Sequence, residues 1–535
     1  MKRSINMLIA ILILATLIGV PVQKTSAAAP IYVSPDGTGT NCIESFPCSL
    51  QQGASIAKEG AFIYVREGTY RIDPTFWTQE VVRFSKFVVV VGSCIFDGND
   101  ATPPVCGQDF PHRSIIDGQS AYRGITLVGT PTDQPNLYMH HLNVINGEAD
   151  EVDLSTCTVS LGYTRGGCGG GLFIESAGII YINDFLFEQN YAGFLLSDKA
   201  GFGGAVYIKD ARNVTITDSI FFENAATWTE YGFGGAVFAT NISQEIIIEN
   251  SNFSNNVCTT DGTFNLGCGV MIHDSDGVVV RNNEFNNNNP YSNSGIKGSA
   301  LFLLNNHDFT VDRNYFTMNK GISVLGASNG ENARPDTISA NRFYDNMATN
   351  LIQYEGKYWV KINNNMLSHR QSSREIVEQR SGGPLYTTIN LSSNAVAPIK
   401  SIAHIYHNSI ARSDNGMQIS DNFFLFIRNN IITGCAVQGL SIATPTNMGE
   451  VYSNNLFYLN TLDGLGPDPT NIFADPHFVN YHYDLHIHPT SPAIDKGATG
   501  TGVVTDFDGD PRPNSGYDIG ADEACGRFYM PVIFR

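Results

Sequence analysis

The chain has 535 residues and a net charge of −19 at pH 7, with 42% hydrophobic and 16% charged residues. This acidic balance makes nucleic acid and anionic membrane surfaces poor partners. The length alone would indicate several globular domains. A repeat that runs through most of the chain predicts one elongated domain instead.

Residues 1–29 are typical of a secretory signal. Lys2 and Arg3 precede an apolar run from Met7 to Val22, and small residues at 26–28 provide a cleavage site. The run is short for a bilayer span, so a retained membrane anchor is the weaker alternative. We therefore expect a secreted or cell-surface protein that has no transmembrane segment once the signal is removed.

The start of the mature chain contains a short strand, a turn-rich loop, an amphipathic helix near Leu50 to Lys58 and a first coil at Phe62 to Val65. A solenoid exposes the apolar end of its stack and needs a cap there. The helix is the predicted N-terminal cap.

The repeat is clearest around Phe221, Phe253 and Phe285, where apolar residues alternate with polar ones as they do in a strand. An apolar residue stands five positions before each Phe and a small polar residue two positions before it. Small amides tolerate left-handed turns and bond to one another along a stack. The polar column comprises Ser219, Ser251, Asn283, Asn314, Asn341, Asn365, Asn408, Asn430 and Asn455. The pattern predicts an all-β fold, a single-stranded right-handed parallel β-helix over residues 30–469.

Two resemblances support this prediction. YVSPDG, a short helix and VREGTY resemble the N-terminus of pectate-lyase-like right-handed β-helix proteins. A second resemblance is to the repeats of chlamydial polymorphic outer-membrane proteins, which are surface β-helices implicated in adhesion. It rests on the motifs GGGL and GGAV, which alternate with FEQN, FFEN, FSNN and FNNN. The resemblances imply the fold, whereas one fold hosts many functions.

Long insertions occur at one place in the repeat, at residues 147–168, 191–202, 225–233, 257–268 and 289–298. Because adjacent coils are about 4.8 Å apart, the insertions should share one edge of the solenoid. Their aromatic residues would form either a sugar-binding wall or a satellite core under the loops. These candidate ligand-binding residues are Tyr163, Tyr191, Phe194, Trp228, Tyr231, Phe264 and Tyr291.

Residues 470–524 lack the repeat. The segments 491–497 (SPAIDKG), 506–513 (DFDGDPRP) and 518–523 (DIGADE) resemble the choice-of-anchor Q domain of secreted bacterial β-helix proteins. The resemblance implies a small β domain that closes the C-terminal end of the helix. The tail 525–535 would be a final strand or a sorting signal.

Asp506, Asp508 and Asp510 alternate on a tight loop of this segment. Alternate carboxylates on such a loop suit a hard cation, and they make a candidate Ca²⁺ site. The competing interpretation is that the aspartates act only as turn formers.

Ten cysteines in an exported chain predict disulfide bonds. Eight form sequence-local pairs, namely Cys42–Cys48, Cys94–Cys106, Cys157–Cys168 and Cys258–Cys268. Pairing the remaining Cys435 and Cys525 would staple the C-terminal domain to the stack.

The favoured function is non-catalytic binding of a polysaccharide or a cell surface by a monomeric secreted or cell-surface protein. The alternative is a polysaccharide lyase or glycosidase acting on an extracellular polysaccharide. A lyase needs carboxylates for calcium beside a basic residue, and a hydrolase needs converging carboxylates. The nearest set, which matches no known motif, comprises His273, Asp274, Asp276 and Lys297. Catalytic residues therefore remain unassigned.

Overall fold

The computed structural model describes most of the chain. The described ranges are residues 28–72, 79–100, 103–107, 113–149, 157, 167–193, 200–227, 231–259, 264–289, 296–329, 334–370, 385–393, 400–420, 422–443, 451–464 and 468–524.

The chain winds into stacked coils of parallel strands, which confirms the predicted right-handed parallel β-helix. Each coil has three faces, which we number in chain order. Face 1 comprises Glu80–Phe84, Arg123–Val128, Val237–Thr240, Val270–His273, Leu301–Leu304, Lys320–Asn329, Thr387–Ser393, Asn415–Ile419 and Gln438–Ile442. Leu172–Asn183 and Val206–Thr217 each continue from face 1 onto face 2.

The rest of face 2 comprises Ile31–Val33, Ala61–Arg66, Val88–Cys94, Leu137–His140, Glu245–Glu249, Val278–Arg281, Thr310–Asp312, Asp336–Ser339, Trp359–Asn363, Ser401–Tyr406, Phe423–Arg428 and Val451–Ser453. Face 3 comprises Gly68–Tyr70, Ser114–Asp117, Leu142–Ile145, Leu186–Glu188, Ile220–Phe222, Asn252–Ser254, Glu284–Asn286, Tyr315–Thr317, Met366–His369, Ser409–Ala411, Ile431–Thr433, Leu456–Tyr458 and Ile472–Phe473. Arg342–Gly356 begins on face 3 and ends on face 1 of the next coil.

The corner between faces 2 and 3 explains why the Phe of each repeat stands five residues, an odd number, after the preceding apolar residue. One residue of each corner is left-handed, with φ between 51° and 59°. It is the residue before the polar column, and not the column residue as the sequence suggested. These left-handed residues are Asp218, Asn250, Asn282, Arg313, Ala340, Asn364, His407, Asn429 and Asn454. The turn directs the next side chain into the coil, where it can bond along the stack.

The polar column forms the predicted ladder. The side-chain oxygen of each member accepts the backbone N–H of the member one coil earlier, at 2.9–3.1 Å from Ser219 to Asn471. The corner between faces 3 and 1 carries a second ladder that the sequence analysis did not identify. It runs through Asn190, Asn224, Asn256, Asn288, Asn319 and Asn346 at 3.0–3.2 Å. Both ladders supply partners for buried backbone groups that the corners remove from the sheets.

The predicted phenylalanine column forms a continuous stack inside the coils. Phe187, Phe221, Phe253, Phe285, Phe316 and Phe343 are buried, and neighbouring ring centroids are 4.5–5.0 Å apart. Because the stack repeats at the strand spacing, it aligns the register of successive coils while it buries apolar area.

The predicted cap is helix α1, Leu50–Ile56. Ser49 begins it, since its hydroxyl accepts the backbone N–H of Gln52 at 3.2 Å. Leu50 packs in the core cluster, and Gln51 donates to the carbonyl of Val81 at 2.7 Å. Helix α1 therefore covers the apolar start of the stack.

The C-terminal segment contains an antiparallel hairpin, Phe478–Asn480 and Asp484–Ile487. It lies along the flank of the last coils, and not over the end of the stack as the resemblance implied. Asn364 donates to Thr505, Asn429 to Ala498 and Asn454 to Lys496, so the segment crosses successive coils at the corner between faces 2 and 3. Its apolar residues pack on outward residues of face 3, including Met366 and Ile431. We call residues 474–524 the flank domain.

The four sequence-local disulfides form as predicted, between Cys42 and Cys48, Cys94 and Cys106, Cys157 and Cys168, and Cys258 and Cys268. The predicted staple finds no support in the structure. Cys435 is a free thiol that packs in the core, and Cys525 lies outside the described residues. Burial raises the pKa of this thiol well above its usual value, which disfavours the reactive thiolate.

A buried carboxylate makes the stability of the coils dependent on pH. Asp336 accepts hydrogen bonds from Asn329 and Tyr354, at 3.0 and 2.9 Å, yet burial raises its pKa to about 7. An unfolded Asp has a pKa of about 3.9, so the folded state binds this proton more tightly. We expect the free energy of unfolding to fall as the pH rises from about 4 to about 7.

Denaturant titrations across this pH range would test the prediction. Asp336→Asn should reduce the dependence, whereas the exposed control Asp133→Asn should leave it unchanged. Burial also raises the pKa of Asp522 to about 6 and that of Glu523 to about 7, so part of the dependence should remain. An equally steep dependence in Asp336→Asn would show that another group causes it.

Candidate functional site

The edge predicted to carry an aromatic wall is closed by a small extra sheet. Insertion strands Ala200–Phe202, Tyr231–Phe233, Phe264–Leu266 and Ile296–Lys297 pair in parallel. Tyr231 and Phe264 are register partners, as one shared edge requires. Tyr191 is half-buried and bridges neighbouring coils. The other candidate residues lie outside the described part of the structure, namely Tyr163, Phe194, Trp228 and Tyr291. The side chain of Phe264 also lies outside it.

The insertion sheet covers a satellite core on face 1. Phe202, Phe233 and Leu266 pack against outward residues of face 1, such as Tyr207 and Phe238. Tyr231 is half-buried against the same cluster. Tyr231 therefore packs on the satellite core, whereas the ligand-binding role of the seven candidate residues stays a prediction.

The nearest carboxylate set on the coils is divided among separate contacts. His273 is buried and contacts Thr240 and Asp274, at 3.1 and 3.3 Å. Asp276 pairs with His307 at 2.8 Å. Lys297 instead lines a cleft of about 130 Å³ where the insertion sheet ends.

The aspartate loop predicted to bind Ca²⁺ lies in the flank domain. Asp506 is buried, and its carboxylate accepts the backbone N–H groups of Asp508, Asp510 and Glu523 at 2.8–3.0 Å. These bonds give Asp506 the turn-forming role that was the alternative interpretation. Of the three aspartates, only Asp508 belongs to a group of candidate metal ligands in the described residues, and its companions are His486 and Asp522.

Face 2 carries an outward-facing array of mostly half-buried side chains that the sequence analysis did not identify. On three successive coils, strands Trp359–Asn363, Ser401–Tyr406 and Phe423–Arg428 each direct three side chains outward. Register pairing aligns them in columns. We call this array the face-2 platform, and its members are Trp359, Lys361, Asn363, Ile402, His404, Tyr406, Phe424, Phe426 and Arg428.

Ring contacts hold the platform together around His404. Its ring centroid lies 5.4 Å from that of Trp359, 5.3 Å from Tyr406 and 4.8 Å from Phe426. The Lys361 ammonium lies 5.1 Å from the Trp359 ring centroid. Burial, together with the neighbouring Lys361 charge, lowers the pKa of His404. A neutral imidazole at the centre suits stacking more than ion pairing.

The platform differs in charge from the rest of this acidic chain. Segments 357–364, 400–409 and 422–431 contain no Asp or Glu, and Asp421 immediately precedes the third segment. The cations of the three segments are Lys357, Lys361, Lys400 and Arg428. Strand spacing gives the platform dimensions of about 10 Å by 13 Å. A flat aromatic surface with a basic border can stack apolar ring faces and attract anions.

The comparison with family models supports the fold over part of the chain. The family model "Right handed beta helix region" matches residues 140–335. No curated protein matches the chain. Similar solved structures include "Crystal structure of pectate lyase Pel9A" at 12% identity, a TM-score of 0.35 and coverage of 94% of this chain and 97% of that one.

Two further similar structures span most of the chain. "The complex structure of XylC with xylose" has 10% identity, a TM-score of 0.42 and coverage of 93% of this chain and 98% of that one. "Structure of Yersinia enterocolitica Family 28 Exopolygalacturonase" has 10% identity, a TM-score of 0.35 and coverage of 81% and 79%.

Proposed function

We propose that the protein is an extracellular binding protein for acidic polysaccharides and that the face-2 platform is its binding surface. The observation that carries this proposal is the outward array centred on His404, with Trp359 and Phe426 in contact with it. Four disulfides fit an oxidising compartment. None of the helical segments among the described residues has the length and apolar character to cross a membrane.

The geometry suits a polymer better than a small molecule. Small-molecule sites are concave and enclose their ligand, whereas the parallel strands of a β-helix face present a nearly flat surface. A sugar ring exposes an apolar C–H face that can lie on Trp359 or Phe426. Carboxylate or sulfate groups along the polymer would meet Lys361 and Arg428, and salt would weaken these contacts.

Binding isotherms with polygalacturonate, alginate and neutral xylan would test the proposal. We expect the double substitution Trp359→Ala, Phe426→Ala to weaken binding of an acidic polysaccharide at least tenfold, without a change in Tm. Lys361→Gln should weaken binding of the acidic polymers more than that of xylan, because it removes charge and keeps most of the side-chain length.

Tyr181→Ala is the matched control, since Tyr181 is a half-buried aromatic residue on the same face, six coils earlier. Full binding by the double variant would overturn the platform assignment, as would an equal loss in Tyr181→Ala. The same incubations, followed by absorbance of unsaturated products and by reducing ends, would detect the alternative lyase or glycosidase activity. We expect no turnover.

A further inference from the structure

A second cluster of chemically capable side chains lies in the flank domain. His486, on strand Asp484–Ile487, meets Asp508 and Asp522 from the following loops. One potential ligand atom from each of the three lies within 4.8 Å of the other two. His486 and Asp522 are buried, while Asp508 is exposed. The cluster therefore has one side open to solvent.

The histidine is oriented by a second carboxylate. Its Nδ1 contacts Asp484, which lies two residues earlier on the same strand, while its Nε2 lies 3.0 Å from Asp508 Oδ2. Donation from Nδ1 to Asp484 leaves Nε2 as the nitrogen that faces Asp508. A carboxylate behind a histidine in this way is the usual support of a metal-bound imidazole, because it fixes the tautomer and raises the basicity of the ligating nitrogen.

The two carboxylates are held by backbone contacts. Asp522 Oδ2 accepts the N–H of Ile487 at 2.8 Å, which places it beside the histidine strand. Asp506 fixes the loop that carries Asp508 by accepting its N–H at 3.0 Å. The N–H of Phe507 bonds to the carbonyl of Ala521 at 2.8 Å, which ties this loop to the segment of Asp522. The three ligand residues are therefore brought together by hydrogen bonds within the flank domain.

We propose that His486 Nε2, Asp508 and Asp522 bind a divalent transition-metal ion such as Zn²⁺ or Mn²⁺. This site shares Asp508 with the Ca²⁺ site expected at Asp506, Asp508 and Asp510, which stays a separate prediction. An imidazole nitrogen favours borderline metals, whereas Ca²⁺ takes oxygen ligands alone. Water would complete the coordination on the open side.

The ion would lock the flank domain together. It would join the strand of His486 to the loops of Asp508 and Asp522, which otherwise meet through hydrogen bonds and one imidazole between carboxylates. An ion that binds the folded state alone stabilises it by RT ln(1 + L/Kd), where L is the free metal concentration, so Tm rises with the logarithm of that concentration once the site is saturated. This inference is independent of the face-2 platform.

Titration calorimetry of the full mature chain, after EDTA treatment and dialysis, would test the site with Zn²⁺, Mn²⁺ and Ca²⁺ in turn. We expect one equivalent of Zn²⁺ or Mn²⁺ per chain, a higher Tm with that metal, and weaker binding of Ca²⁺. His486→Gln and Asp508→Asn should abolish the binding. Asp484→Asn should weaken it ten- to a hundredfold, the effect expected of a residue that orients a ligand.

His488→Gln is the matched control, because His488 is exposed and stands one residue beyond the same strand, outside the cluster. It should bind metal as the wild type does. Because Asp508 is exposed, Asp508→Asn should fold even if His486→Gln does not. The proposal fails if neither transition metal binds at one equivalent, if Asp508→Asn binds as tightly as the wild type, or if Ca²⁺ binds most tightly.

Discussion

Arg512→Met is expected to detach the flank domain from the coils. Arg512 is buried, and its guanidinium donates to Glu523 at 2.6 Å and to Asn364, on the coil corner, at 3.0 Å. It also donates to the carbonyls of Gly520 and Ala521, at 2.9 and 3.2 Å. Removing one partner of a buried ion pair typically costs about 3–5 kcal/mol, since the other charge stays buried.

The expected readout of Arg512→Met is local. Hydrogen exchange should accelerate in the hairpin strands and in segment 518–524, while the Asn ladders of earlier coils stay protected. Lys496→Met, which removes an exposed cation from the same domain, is the control and should change little. Unchanged exchange in Arg512→Met would mean that apolar packing alone holds the flank domain in place.

Asn341→Ala should destabilise the coils by about 3 kcal/mol. The Asn341 amide is buried, donates to the carbonyl of Val311 and to Asn365, and accepts from Asn314. Alanine would leave two buried backbone groups without partners, the N–H of Asn314 and the carbonyl of Val311, and each such loss costs about 1–3 kcal/mol. Equilibrium denaturation measures the effect.

Asn282→Gly provides the comparison at the neighbouring corner position. Asn282 is exposed and left-handed, with φ 54°, so glycine should keep or slightly raise stability. Equal losses in Asn341→Ala and Asn282→Gly would show that corner geometry, and not the ladder, supports the fold.

The inward-facing residues of the coils could be predicted from the sequence because every coil makes the same contacts with the next. Phe253 must stack on Phe285, and Ser251 must bond to Asn283, so both residue types recur at the coil period. The left-handed corner position is less restricted, since Asp, Asn, Arg and Ala all occupy it. Asn or Asp occupies six of the nine corners given above, as a left-handed turn favours, but Arg313, Ala340 and His407 interrupt the column.

The position of the flank domain could not be read from its motifs. Residues of the DFDGDPRP and DIGADE segments bond mainly to one another, as Arg512 does to Glu523 and Asp506 does to the N–H of Glu523. Motifs that organise their own domain carry little information about where that domain docks. Its docking depends on single contacts such as Arg512 to Asn364, which are 148 residues apart.

The candidate sites were missed for a related reason. Outward residues of face 2 have no repeating partner, so the platform shows no period. A signal was nevertheless present, because WVKIN, IAHIY and FFLFIR place aromatic residues or histidine at alternate outward positions. In the flank domain, His486 and Asp508 are 22 residues apart, and only the path of the loops brings His486, Asp508 and Asp522 together.

Hydroxyl-radical footprinting of the protein, with and without saturating polygalacturonate, tests the central claim most directly. The account predicts that oxidation of Trp359, Phe424 and Phe426 falls on binding, while oxidation of Tyr181 on face 2 and Tyr231 on the insertion sheet stays the same. Saturable binding that protects Tyr231 and leaves the platform residues as reactive as before would contradict it.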